Sequence, residues 1–391
     1  MKFAGIVVLL MLASLPVRVT GQSNVVVMPR GPLTFEDARQ AAVMDFVPTD
    51  RALLWLPGDS LLVGHFEAYG TGFAFFINCM GSGFYKVPVG GGKAVQVGDP
   101  FCSFHGNVTA TPDGSSVLFF GEPAYARRGV GVVRSRDAAL LRFTLASSSV
   151  DTVRAGCGSG IKDAALSRTG RLAWTGPCRD SADIARDPSC RSSAGSPARS
   201  CSTEDHAGVY VAPVGGGEAR RTPGTEDGDA HEPSWSPDGA SIAYSVGDNP
   251  LPGRWEVSGS QPGRLMVADA SGARTLGVAG ESPSWSPDGR TIAYYGDDRD
   301  DANARYGGPR IYLIGSDGTT PRRIFMNDEV RTYQEYMGPI PMDVRNGKAF
   351  GTMVWSPDGR WLVFSRQYRD GASLWRVEVS TGLVERVTAT G

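Results

Sequence analysis

Five polar residues stand at the starts of short apolar segments that are far apart in the chain. They are Asn107, Asp163, His231, Glu232 and Glu281. Carboxylate and amide oxygens are the ligands that Ca²⁺ prefers in proteins, and polar groups that converge on one point can also bind a small polar ligand. A water-filled channel would have a polar lining of the same kind, so both interpretations stay open.

Three aspartates at matching positions of a repeated phrase form a second group that could do chemistry: Asp238, Asp288 and Asp358. The paired carboxylates of glycosidases lie within about 10 Å of each other. Each of these aspartates belongs to a different structural unit, so we expect them to lie much farther apart than that. We therefore interpret them as residues that form turns.

The phrase that contains them, Trp-Ser-Pro-Asp-Gly, occurs three times and predicts a tight turn between two strands. Proline presets φ for the second turn position, aspartate bonds its own backbone, and glycine adopts the left-handed conformation that ends the turn. The tryptophan, just before the turn, is expected to pack against a neighbouring unit. The shared members are Trp235, Asp238 and Gly239; Trp285, Asp288 and Gly289; and Trp355, Asp358 and Gly359.

Weaker copies of the phrase precede these three and are anchored at Trp55, Ala110 and Leu166. The second half of each unit is an alternating strand followed by a glycine turn, as in residues 84–92 and 209–217. Four strands per unit of roughly 40 to 50 residues are typical of a propeller blade. We therefore predict an all-β protein, a six-bladed β-propeller of four-stranded antiparallel blades that forms a single domain over residues 45–391.

The Trp-Ser-Pro-Asp-Gly turns, followed by Ile-Ala-Tyr or Leu-Val-Phe, resemble the WD40-like repeat of TolB-like β-propellers. Similar blades occur in the propeller domains of prolyl oligopeptidase-type enzymes. Proteins similar to TolB carry a small α/β domain ahead of a six-bladed propeller, and the segment before Trp55 is too short to hold one. The resemblance therefore implies the propeller architecture and not TolB's role in the Tol-Pal envelope system.

The N-terminal segment predicts a signal peptide over residues 1–21. Lys2 is followed by the apolar residues 3–15 and by Val19-Thr20-Gly21, a segment suited to cleavage before Gln22. The apolar part is shorter than the ~20 residues that a spanning helix needs, so we expect no membrane span. Residues 22–44 would then be an N-terminal extension, and we expect the protein in the periplasm or outside the cell.

Cysteine usage agrees with export. The six cysteines are Cys79, Cys102, Cys157, Cys178, Cys190 and Cys201. An even number in an exported chain predicts disulfides, and we favour pairing between neighbours along the chain, because each such bond closes a short loop. A zinc site is the competing interpretation, but no Cys-x-x-Cys pair is present.

Charge excludes one class of partner. The chain has 39 basic and 41 acidic residues and no basic tract, so we expect no nucleic-acid partner. The 51 glycines and 26 prolines fit a fold with many tight turns. We expect a monomer.

Connections in a propeller alternate between the two ends of the ring, and the long ones are predicted to share one end. They are residues 124–138, 177–206, 247–263, 297–308 and 326–351. Long loops on a rigid scaffold are where binding usually resides, although loops also vary without function. The last segment carries Tyr333, Tyr336 and Met337, residue types enriched in protein interfaces, which could equally pack locally.

Sequence signatures of an enzyme are missing. The chain has no Gly-x-Ser-x-Gly elbow, no α/β-hydrolase domain follows Gly382, and the repeat does not fit the Asp-box of sialidases. We therefore predict an exported, non-catalytic scaffold that binds a protein or a small polar ligand on the face with the long loops. The alternative is a calcium-centred lactonase or sugar dehydrogenase, because its scattered acids would leave no linear motif.

Overall fold

The computed structural model describes the strands of the chain together with most of the short turns between them. The described residues are 45–71, 74–99, 108–121, 139–154, 163–175, 208–225, 230–247, 263–296, 310–324, 353–368 and 371–388. All regular elements in this part of the chain are β-strands, twenty-four in number.

The first twelve strands form three consecutive blades. Blade I consists of β1 (Asp45–Leu56), β2 (Ser60–Thr71), β3 (Ala74–Pro88) and β4 (Val95–Val97). Blade II consists of β5 (Thr109–Ala110), β6 (Ser116–Gly121), β7 (Ala139–Thr144) and β8 (Ser149–Arg154). Blade III consists of β9 (Asp163–Leu166), β10 (Arg171–Thr175), β11 (Val209–Pro213) and β12 (Arg220–Arg221).

The other twelve strands repeat this order. Blade IV consists of β13 (Ala230–Trp235), β14 (Ile242–Val246), β15 (Arg264–Asp269) and β16 (Gly272–Ala279). Blade V consists of β17 (Glu281–Trp285), β18 (Thr291–Gly296), β19 (Arg310–Gly315) and β20 (Arg322–Arg323). Blade VI consists of β21 (Val354–Trp355), β22 (Trp361–Tyr368), β23 (Gly371–Glu378) and β24 (Val384–Arg386).

Within each blade, sequential strands pair antiparallel, which confirms the predicted six-bladed β-propeller. The second strand of a blade is buried on both faces, because a neighbouring blade covers each side. Its sequence is therefore continuously apolar or small instead of alternating, as in β14, where all five residues are buried.

Apolar side chains fill every interface between consecutive blades. Six clusters of buried residues correspond to the six interfaces of the ring. The cluster that joins the last blade to the first contains Leu61 and Val63 of blade I with Val363 and Leu374 of blade VI. Strand β1 also pairs parallel with β23 at one point, Thr49 with Ala372. The ring therefore closes through side-chain packing and one backbone pairing. Each of the two blades that meet there consists of four consecutive strands.

The turns between first and second strands have a common hydrogen-bond pattern. In blade IV, the Ser236 hydroxyl donates to Asp238 Oδ1 at 2.6 Å, and the Ala240 N–H donates to the same oxygen at 3.0 Å. Gly239 has a φ of 70°, a conformation that favours glycine. The turns of blades V and VI repeat these bonds. In all three blades the phrase therefore forms a hydrogen-bonded turn.

Neighbouring turns also contact one another around the rim. A Cβ added at Gly289 would lie 3.6 Å from the Pro237 ring of the preceding blade. The same relation holds one blade further on, where a Cβ at Gly359 would lie 3.9 Å from Pro287. We call this end of the ring, with its first-to-second and third-to-fourth turns, the tight-turn end, and the opposite end the long-loop end.

Candidate functional site

Residues three positions before the anchor of the repeat, which is Leu166 in blade III and a tryptophan in blades IV and V, link these blades through their inner strands. In blade III this position is Asp163, in blade IV Glu232 and in blade V Ser282. The Glu232 N–H donates to Asp163 Oδ2 at 2.9 Å, and the Ser282 N–H donates to Glu232 Oε2 at 2.5 Å. Each carboxylate therefore holds the main chain of the next blade at the equivalent point.

A local irregularity of the strand frees these N–H groups from the blade's own ladder. In β13 the pairing with β14 skips from His231 to Ser234, and β17 has the same interruption between Glu281 and Ser284. Glu232 and Ser282 lie in the skipped segments with φ of 54° and 50°, which is uncommon for residues other than glycine. The inter-blade bonds compensate for conformations that cost of order 1–3 kcal/mol each.

Four of the five sequence-predicted ligand residues lie in the inner strands of blades III to V. Asp163, His231, Glu232 and Glu281 are all buried, with exposed fractions of 1%, 8%, 4% and 4%. His231 Nδ1 lies 4.0 Å from Asp163 Oδ2, so the structure brings those two together with Glu232. Glu281 begins β17, one position before Ser282. Asn107 lies outside the described residues.

Burial explains why the carboxylates need these partners. A carboxylate taken out of water is stable only where hydrogen bonds or opposite charges replace its hydration. Here, backbone N–H groups from the next blade supply hydrogen bonds to Asp163 and Glu232. In the described part of the chain, no three His, Cys, Asp or Glu side chains are grouped as ligands for one metal ion. The arrangement fixes the spacing and orientation of three consecutive blades.

Sequence reasoning missed Ser282 and Ser284 as members of this network. Ser282 occupies the same position as Glu232, and the Ser284 hydroxyl donates to the Met353 carbonyl of blade VI at 2.8 Å. An alignment of the units on their tryptophans would have found both positions. The position of Ser282 has a different residue type in each unit, so no repeated letter marks it, whereas Ser284 has the same type as Ser234 of the preceding blade.

The repeated tryptophans make a second set of bonds between blades. The indole N–H of Trp235 donates to the Ala165 carbonyl of blade III at 3.2 Å. Trp285 donates to Ser234 of blade IV and Trp355 to Ser284 of blade V, both at 3.1 Å. The rings also belong to the apolar clusters between the same blades. Each tryptophan thus anchors its blade to the preceding one through both packing and a hydrogen bond.

The aspartates of the tight turns are exposed and ionised more readily than usual. The Ser236 hydroxyl and then the Ala240 N–H hold the pKa of Asp238 below its ordinary value. Hydrogen bonds from Ser286 and Ser356 lower the pKa of Asp288 and Asp358 in the same way. These carboxylates are engaged in their own turns, which agrees with a structural role.

The long-loop end has a different character. Five long connections leave the described strands there, at Gly121, Thr175, Val246, Gly296 and Arg323. In blade I, the strand pair β2–β3 instead continues outward to Thr71 and Ala74, an extension that the sequence did not predict. Tyr333, Tyr336 and Met337 lie outside the described residues, as do Cys102, Cys157, Cys178, Cys190 and Cys201. Cys79 lies in β3.

No helix with the length and apolar character of a membrane crossing occurs among the residues that the structure describes.

The structure is similar to several solved structures at low sequence identity. The putative TolB of Agrobacterium tumefaciens shares 19% identity at a TM-score of 0.46, with 76% of this chain and 84% of that one covered. TolB of Acinetobacter baumannii shares 13% sequence identity at a TM-score of 0.44, and the match covers 91% of this chain and 72% of that one. A puromycin-hydrolyzing peptidase of Mycobacterium tuberculosis shares 14% sequence identity at a TM-score of 0.46. The match covers 90% of this chain and 54% of the peptidase.

No known family profile and no curated protein matches the sequence of this chain. Two of the similar solved structures are TolB proteins, the family that the repeats resemble. The assignment of the fold itself depends on the strand pairing described above and not on these similarities.

Proposed function

We propose that this protein is an exported, non-catalytic scaffold that binds a protein partner or a small polar ligand at the long-loop end of its ring. The observation that carries the proposal is the difference between the two ends. Tight, internally hydrogen-bonded turns occupy one end, and the five long connections leave from the other. Binding residues are found disproportionately on loops that a rigid scaffold positions.

The rigidity of the scaffold supports this proposal. The indole bonds from Trp235, Trp285 and Trp355 and the carboxylate bonds of Asp163 and Glu232 tie consecutive blades together near the ring's inside. A base whose blades cannot shift independently would hold several loops in fixed relative positions. Such preorganisation reduces the entropy lost on binding.

Export is part of the proposal and has its support in the sequence. Lys2 and the apolar residues 3–15 have the composition of a signal peptide. Mass spectrometry of the N-terminus of protein purified from the envelope or the medium would test it. We expect the mature chain to begin at Gln22, and a retained Met1 in a cytoplasmic fraction would contradict it.

Replacing loops tests the binding face. In one variant, residues 331–346, which include Tyr333, Tyr336 and Met337, are exchanged for a short Gly-Ser linker. The matched control carries Lys93→Ala and Glu218→Ala, two exposed changes in third-to-fourth turns at the tight-turn end. Partners from the exported fraction are captured by cross-linking to wild type and identified by mass spectrometry. We expect the loop variant to lose them and the control to keep them, and equal capture by both would contradict the assignment of the face.

A further inference from the structure

A surface pocket of about 390 Å³ lies at the tight-turn end of blade V, away from the long loops. It lies between the β17–β18 turn and the β19–β20 turn, and we call it the blade V pocket. Its polar lining includes Arg290, Arg322, Thr291, Thr319 and Thr320. Volumes of about 300–1,000 Å³ are typical of small-molecule sites. The size alone therefore permits a ligand.

Within the described part of the chain, Arg290 and Arg322 donate no side-chain hydrogen bond, and Arg290 interacts electrostatically with Asp288 of its own turn. Arginines at the turn position of Arg290 in two other blades do donate such bonds. Five positions after the tryptophan site, blade III has Arg171, blade V Arg290 and blade VI Arg360. Arg171 Nη1 donates to the Gly239 carbonyl at 3.2 Å, and Arg360 Nε donates to Glu378 at 2.6 Å. Arg290 instead lines the pocket together with Arg322.

The charge of the pocket is positive. Its one acid, Asp317, is engaged in its own turn, where Oδ1 accepts from the Thr319 hydroxyl at 2.6 Å and the Thr319 N–H at 3.0 Å. The Thr319 hydroxyl, then its N–H, hold the pKa of Asp317 below its ordinary value. Arg274 of blade IV donates to the Ser316 carbonyl at 2.6 Å and adds a third cation at the edge. The pocket lining thus has two arginines and one carboxylate that is already hydrogen-bonded, and a third arginine lies at its edge.

We propose that the blade V pocket binds the phosphate or carboxylate group of a small molecule from solution. Guanidinium groups match such oxyanions, because their N–H groups form paired, charge-assisted hydrogen bonds. Thr291 and Thr320, two more residues of the lining, carry hydroxyls that are neutral donors. The site is separate from the long-loop end, so a partner bound there and an anion bound here can be present together.

Titration calorimetry at constant ionic strength tests the proposal with inorganic phosphate and with citrate as probes. We expect the wild type to bind at least one of them at one site per chain. Each of Arg290→Gln and Arg322→Gln should weaken binding roughly tenfold, because each removes a charge-assisted hydrogen-bond donor, and the double variant should abolish it. The matched control is Arg168→Gln, an exposed arginine in the first turn of blade III, which should bind like wild type.

Two results would overturn the proposal. One is the absence of heat with both probes, and the other is equal binding by wild type and the double variant. Unfolding curves in buffer without phosphate or citrate show whether the variants fold, and we expect little change there because both arginines are exposed. Phosphate raises the stability of any folded protein to some extent by a general salt effect, which is the same in all variants. Only a difference in measured binding between Arg168→Gln and the double variant therefore supports the pocket.

Discussion

The carboxylate of Glu232 in blade IV accepts a hydrogen bond from the backbone N–H of Ser282 in blade V, at 2.5 Å. The Glu232 N–H in turn donates to Asp163 of blade III. One residue therefore joins three blades, as donor through its main chain and as acceptor through its side chain. Because Glu232 is 4% exposed, solvent does not replace either bond when it is removed.

Replacing Glu232 by alanine should destabilise the protein. The Ser282 N–H would remain buried without its acceptor, a change that costs about 1–3 kcal/mol of unfolding free energy. Glu232→Gln keeps an acceptor oxygen and should lose less. Urea unfolding measures both, with Glu218→Ala, an exposed acid, as the control that should match wild type. Equal stability of Glu232→Ala and wild type would show that the bond contributes nothing.

Replacing Trp285 separates packing from hydrogen bonding between blades IV and V. Trp285→Ala removes both and should cost on the order of 3–5 kcal/mol. Trp285→Phe keeps an aromatic ring in the cluster but leaves the Ser234 carbonyl without the indole donor, so about 1 kcal/mol should be lost. Thermal unfolding gives the order of stability. A melting curve of Trp285→Ala identical to that of wild type would refute its role in joining blades.

Asp288 should titrate below its ordinary pKa of 3.8, because the Ser286 hydroxyl and the Arg290 N–H stabilise the carboxylate. A pKa lowered in the folded state contributes stability above the unfolded value and loses it as the pH falls through the folded value. Carboxyl ¹³C NMR of the folded protein should therefore give a midpoint below 3.8. In Ser286→Ala the midpoint should rise, since the largest cause is removed. A wild-type midpoint at or above 3.8 would contradict the turn geometry.

Tyr294 should resist ionisation. Burial, and then the neighbouring Tyr312 ring stacked at 5.5 Å, raise the pKa of Tyr294 from 10.0 to about 12. A raised pKa stabilises the fold below pH 10.0, and this stability is lost as the pH rises toward about 12. We expect the alkaline loss of stability to be smaller in Tyr294→Phe than in wild type. Ultraviolet titration that shows all tyrosines ionising together near 10 would contradict this prediction.

Treatment with a calcium chelator should leave the melting temperature unchanged. Among the described residues, the inner carboxylates of Asp163 and Glu232 already accept backbone hydrogen bonds. Metal analysis of the mature protein, with melting curves with and without chelator, checks this expectation. A stoichiometric ion whose loss lowers the melting temperature would instead support the calcium-centred enzyme alternative and direct work to lactonase and dehydrogenase assays.

The repeat predicted the six blades and their tight turns because both depend on local sequence. Pro237, Asp238 and Gly239 determine a turn within a few residues, whatever surrounds it. The link from Glu232 to Ser282 depends on residues fifty positions apart that share no residue type, so it becomes visible only when blades are adjacent. The blade V pocket was missed for a similar reason. Arg290 and Arg360 occupy the same turn position, and only their spatial neighbours distinguish them.

The closure between blades I and VI has a consequence for the order of the chain. Four consecutive strands form each of these blades, and Leu61, Val63, Val363 and Leu374 pack across the boundary as similar residues do at the other five. A circular permutation that joins the two ends by a linker and opens the chain between two other blades would leave every blade intact. Such permuted proteins should fold to the same ring, because adjacency in space, and not the starting point along the chain, defines each contact.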